Sequence, residues 1–118
     1  MNEIIARIAA AAGLNEGLAT KAIGMILGFL QKEGPADAVG KLIAAFPGAS
    51  DLIAQTGGGG GFVMPGIMGL GSQLMGAGLS MGQIQGVSKE LFAVGREVVG
   101  DETMGAIVQA IPGLGQFV

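Results

Sequence analysis

The sequence predicts an all-α protein, an orthogonal multi-helix bundle built from two pseudo-repeats of about three helices each. Three observations lead there. Apolar residues recur at helical spacing, as in Val39, Leu42, Ile43 and Phe46 at i, i+3, i+4 and i+7. Residues suited to start and stop helices punctuate these runs. A shift of 65 residues lays "AAGLNEG" (11–17) on "GAGLSMG" (76–82) and "FPG" (46–48) on "IPG" (111–113) without a gap. The same shift carries the 39, 42, 43, 46 set onto Met104, Ile107, Val108 and Ile111, so a helical face is kept as well as a few glycines.

The first helix spans residues 2–12 and stops at Gly13, after which Asn15 stands as an N-cap whose side-chain oxygen can accept from a free backbone N–H. The second spans about 16–33 and contains "AIGMILGFL", an apolar run that leaves no polar face through its middle, so this helix belongs inside. "EGPAD" then supplies Gly34 to end one helix and Pro35 to begin the next, which runs to Pro47 with a final turn at Leu52 and Ile53.

In the second half a helix beginning near residue 67 precedes Ser80, which stands where Asn15 stands in the first half. The helix at about 81–98 is amphipathic, with Ile84, Val87, Leu91, Val94 and Val98 on one face and Lys89, Glu90, Arg96 and Glu97 off it. "VGDE" makes the next turn and the last helix runs to Pro112. The chain reads as one domain, 1–118, with repeat one at 2–54, a glycine-rich tether at 56–66 and repeat two at 67–118; halves of this size are too small to stand comfortably alone.

Glycine inside a helix costs about 1 kcal/mol relative to alanine. Gly24 and Gly28, and likewise Gly78, Gly82 and Gly86, are four apart, a spacing that lets helix backbones approach closely. Packing within the chain is the first reading of it, and a dimer or membrane contact the second. Gly86 and Gly95 in the 81–98 helix ask for the same explanation.

Composition removes several function classes. A net charge of −3 with six scattered Lys and Arg offers no basic stripe for phosphates, so no nucleic-acid partner is expected. His, Cys, Tyr and Trp are all absent, which takes away the usual general bases, the best nucleophile and most zinc chemistry. Asp101 and Glu102 read as a helix start complementing the helix dipole rather than as an acid/base pair. No enzyme, cofactor or metal site is expected. The run Gly57–Gly61 is not a phosphate loop, because no lysine lies between Lys41 and Lys89 to close one. It reads as a flexible tether.

No charged residue occurs from Leu52 to Ser88. Glycines, Pro65, Ser72, Gln73, Gln83 and Gln85 nonetheless interrupt every window of about 20 residues. Glu3 precedes Arg7, unlike the basic start of a secretory signal. The expectation is a cytoplasmic protein, with membrane-surface attachment through 62–79 as a lower-ranked alternative.

Methionines are the remaining feature. Met64, Met68 and Met75 fall at i, i+4 and i+11, with Met81 close after them. Core packing is the first reading of these side chains, a partner or self-association surface the second, and a Cu(I) thioether site the last. The candidate interface is Phe62, Val63, Met64, Met68 and Met75; the candidate apolar cavity for a small ligand or lipid is Met25, Phe29, Met68 and Met75. The leading function is a non-enzymatic interaction or self-associating protein, with a homo-oligomer or another protein as partner. The alternative is an apolar-ligand or lipid-binding module.

With "AAGLNEGLATKAIGMILGFL", "AVGKLIAAFPG" and "LGSQLMGAGLSMGQIQ", the chain resembles the YidB-like group of small bacterial helical proteins. There a Leu-Gly helix end is followed by a capped helix and then a leucine-rich helix ending near Pro. The resemblance implies an all-helical fold and brings no activity or catalytic residue with it.

Overall fold

Short polar caps and glycine stops cut the chain into helices in the places where the backbone N–H and C=O groups need partners. The computed structural model describes residues 2–46, 48–55 and 66–111, and of residues 2, 55 and 66–68 it describes the backbone alone. Among these the helices are α1 (Asn2–Ala12), α2 (Glu16–Glu33), α3 (Ala36–Ala45), α4 (Ala49–Gln55), α5 (Gly66–Gly76), α6 (Met81–Val99) and α7 (Asp101–Ala110), with no strand. The protein is therefore all-α.

Asn15 and Ser80 are the caps expected of them. Asn15 Oδ1 accepts from the Leu18 N–H at 2.8 Å. Ser80 forms a reciprocal box: the Gln83 N–H donates to Ser80 Oγ at 3.3 Å and the Ser80 N–H donates to Gln83 Oε1 at 2.9 Å. Gly13 ends the first helical segment at φ +72° and Gly100 separates α6 from α7 at φ +92°, a region that only glycine enters without strain.

Packing turns on α2, which meets α1, α3, α4, α5 and α6. Its run Ile23, Ile26, Leu27, Phe29 and Leu30 is buried, as an unbroken apolar stretch requires. The most extensive pairing joins elements far apart in sequence: α1 lies along α6. There Gly86 meets Ala12, and a Cβ built on Gly86 would fall 3.3 Å from both Cα and Cβ of Ala12. The Cα radius of gyration is 12.5 Å, against about 13.5 Å for a folded chain of this length. Ser88 is the buried polar residue among those described, and none of their buried side-chain N or O atoms lacks a hydrogen-bond partner.

Several expectations change in detail. Residues 49–55 form a seven-residue helix rather than a final turn, because Leu52 and Ile53 gain burial against α2. Four helices thus precede residue 56 where about three are expected. Val98, at the far end of the apolar face of α6, is exposed, while Phe92 and Gly95 are buried beside that face. Of the glycines at small-residue spacing, Gly24 and Gly28 are buried and Gly86 makes the close crossing, whereas Gly82 faces open space. Gly78 is not helical at all; it carries φ +114° in the α5–α6 corner. Gly95 makes room for side chains rather than backbone: a Cβ there would fall 2.8 Å from Sδ and Cε of Met104 and 3.2 Å from Cδ1 of Leu42. The tether at 57–61 lies outside the described residues. No helix among the described residues is long and apolar enough to cross a membrane.

Candidate functional site

The chain reverses between α5 and α6 over four residues, and backbone hydrogen bonds hold that corner. The Ala77 N–H donates to Gln73 O at 3.0 Å, the Gly78 N–H to Met75 O at 3.1 Å and the Leu79 N–H to Leu74 O at 3.1 Å. The positive φ of Gly78 permits the reversal, and the Ser80 box starts the next helix. Leu74 and Leu79 are driven into the core by this geometry. Their neighbours are turned outward: Met75 is 52% exposed and Met81 is 48% exposed.

The corner is also tied to the turn between α1 and α2. Gln83 Nε2 donates to Gly13 O at 3.4 Å, and the nearest atom to a Cβ built on Gly78 is Leu18 Cδ2 at 3.9 Å. Val98, the third large exposed apolar residue among those described, lies 17 positions beyond Met81 along α6, a distance of about 25 Å at the helical rise. It belongs to a different part of the surface.

The residues singled out from the sequence are distributed unevenly. Met75 is on the corner. Met68 lies on α5, with its side chain outside the described set, and Phe62, Val63 and Met64 fall outside the described residues altogether. Of the cavity set, Phe29 is 1% exposed within the core and Met25 is half-buried against it. Met104 is fully buried. Met81 enters the sequence analysis only as a neighbour of the other methionines; its position directly after a capping serine, at the first turn of a helix, is the signal that would have placed it on this corner.

Charge is concentrated elsewhere. Arg7 on α1 reaches two carboxylates of α6, with Nε donating to Glu90 Oε1 at 2.7 Å and Nη1 donating to Glu97 Oε2 at 2.8 Å. These bonds, Glu90 first and Glu97 second, hold the guanidinium pKa above its ordinary value. A weaker pair, Arg96 with Asp101 at 4.0 Å, spans the α6–α7 corner. No group of three or more His, Cys, Asp or Glu side chains among the described residues is placed to hold a metal ion.

What the α5–α6 corner can do follows from these facts. It presents two long, adaptable thioether side chains on a backbone fixed by hydrogen bonds, on a stretch without charge. Such a surface can bury apolar area against another molecule. No family model, no curated protein and no solved structure matches the chain.

Proposed function

We propose that this protein is a non-enzymatic interaction module that self-associates through the α5–α6 corner. The observation that carries the reading is the pairing of exposed Met75 and Met81 on a hydrogen-bonded corner within a stretch, Leu52 to Ser88, that has no charged residue. A corner formed from a charge-free stretch of chain brings no charge of its own against a second copy, which suits a contact made twice by the same surface. Its partner in this reading is a second copy of the chain.

The frame that presents the corner is a pair of repeats. In support, moving α1 (2–12), α2 (16–33) and α3 (36–45) by 65 residues gives 67–77, 81–98 and 101–110, against 66–76, 81–99 and 101–110 for α5, α6 and α7. Buried residues pair under the same shift, among them Ile5 with Leu70, Ile26 with Leu91 and Phe46 with Ile111. The first helix of each half also packs on the long helix of the other, α1 on α6 and α5 on α2. The matching helix ends at Gly13–Asn15 and Gly78–Ser80 are what supports membership of the YidB-like group.

Light scattering across a hundredfold range of protein concentration tests the reading. The wild-type mass rises with concentration, and the double variant Met75→Glu, Met81→Glu stays at the mass of one chain with an unchanged far-UV spectrum. A wild-type chain that is monomeric throughout the range overturns it.

A further inference from the structure

We infer that Met75 and Met81 form a peroxide-sensitive pair, a modification site at which sulfoxide formation turns the α5–α6 corner from apolar to polar without unfolding the protein. The regulatory half of this inference rests on the proposed self-association; the site itself does not. Each thioether sulfur attacks one oxygen of a hydroperoxide. The O–O bond breaks, an S–O bond forms, the sulfur is oxidised by two electrons, and the peroxide is reduced to water or an alcohol.

Three features direct the reaction to this corner. Access is the first, with the two side chains about half exposed while Met104 is at 0% and half-buried Met25 lies between these extremes. The second is the cost of the product. The sulfoxide is polar and chiral, so at Met104, wedged against Gly95 with 2.8 Å to a built Cβ and with Leu42 behind, it would have no room and no partner. At Met75 and Met81, each about half exposed, water can reach it. The third is that the corner's geometry comes from backbone bonds and the Ser80–Gln83 box, none of which uses a methionine side chain, so oxidation leaves the turn its hydrogen bonds.

Among the described methionines the chemistry has its functional consequence at this corner. Two sulfoxides add two strong acceptors to a patch whose proposed partner is an identical apolar patch, and desolvating them opposes that contact. Self-association would then be lost under oxidation and regained on reduction of the sulfoxides.

The experiment treats the intact native protein with hydrogen peroxide and follows each methionine by peptide mass spectrometry, with far-UV spectra and light scattering on the same samples. Sulfoxide appears at Met75 and Met81 at least about tenfold faster than at Met104, which must wait for the fold to open. The helical spectrum is kept and the concentration-dependent mass is lost. The variant Met75→Leu, Met81→Leu keeps its association after the same treatment. Oxidation of Met104 at the rate of Met75 and Met81, or loss of helicity in step with their oxidation, overturns the site. Association that survives complete oxidation of both overturns the regulation. If the untreated protein never associates, the functional reading and the regulation fall together, and the order of oxidation still decides the site.

Discussion

Gly86 of α6 lies flush against Ala12 of α1, so close that a methyl group on Gly86 would meet both Cα and Cβ of Ala12 at 3.3 Å. This approach joins the beginning of the chain to its second half. Gly86→Ala gains up to about 1 kcal/mol of helix propensity and spends part of it on a displacement of a few tenths of an ångström. Gly86→Leu has no such compensation and lowers stability by about 2–3 kcal/mol through overpacking. Urea unfolding of the two variants checks both values, and a neutral Gly86→Leu would contradict the crossing.

The contact between Gly95 and Met104 makes a coupled prediction. Gly95→Ala places a Cβ 2.8 Å from the end of Met104, and the thioether must leave a site where Leu42 already blocks one side. A loss of about 1–2 kcal/mol is expected. With Met104→Ala in place, the same Gly95→Ala change becomes neutral or stabilising. A double-mutant cycle would show a coupling of about 1 kcal/mol or more between the two sites. Simple additivity would mean that the two side chains do not share this space.

Arg7 pins α1 to α6 by its bonds to Glu90 and Glu97. The raised guanidinium pKa adds stability at every pH below the unfolded value and loses it only as pH rises through the folded value, both strongly alkaline. Between pH 6 and 9 Arg7 therefore contributes no pH dependence. Salt is the useful probe, since exposed ion pairs weaken as the Debye length shortens. Arg7→Met lowers the urea midpoint slightly at low salt, and the gap to wild type closes at about 1 M KCl. A gap of constant size would assign the effect to packing.

A circular permutant tests the proposed repeat arrangement. Residues 66–118, a glycine-serine linker of about a dozen residues and then residues 1–55 keep every helix pairing while opening the chain at 56–65. The permutant folds with one cooperative thermal transition close to that of the natural order. Two separate transitions, or an unfolded chain, would show that the natural order of the halves is itself required.

Local features of this fold are legible in the sequence, and non-local ones are not. Asn15, Ser80, Gly13 and Gly100 mark helix ends by chemistry that acts within four residues, and the structure places the boundaries there. The short helix α4 escapes notice because seven residues with one apolar pair show no period. Val98 sits on the right helical face, yet it is 46% exposed, and periodicity cannot say how far a neighbouring helix extends. The pairing of α1 with α6, and the Arg7 bridges that accompany it, depend on residues more than seventy positions apart. For the candidate site the spacing of the methionines singled out the segment that holds Met75, while Phe62, Val63 and Met64 lie outside the described residues. The exposure of Met75 and Met81 comes from the turn at Gly78, whose side effects on its neighbours no spacing rule contains.

The pairing of α1 with α6 also sets a schedule for synthesis. Arg7 and Glu90 are separated by 83 residues, and a ribosome adding about 5–20 residues per second takes roughly 4–17 seconds to make that interval. During it α2 can cover part of α1, but the face that will receive Gly86 has no counterpart. The N-terminal helix thus waits with apolar surface open, before its long partner exists. The nascent first half exposes apolar surface that the finished protein covers.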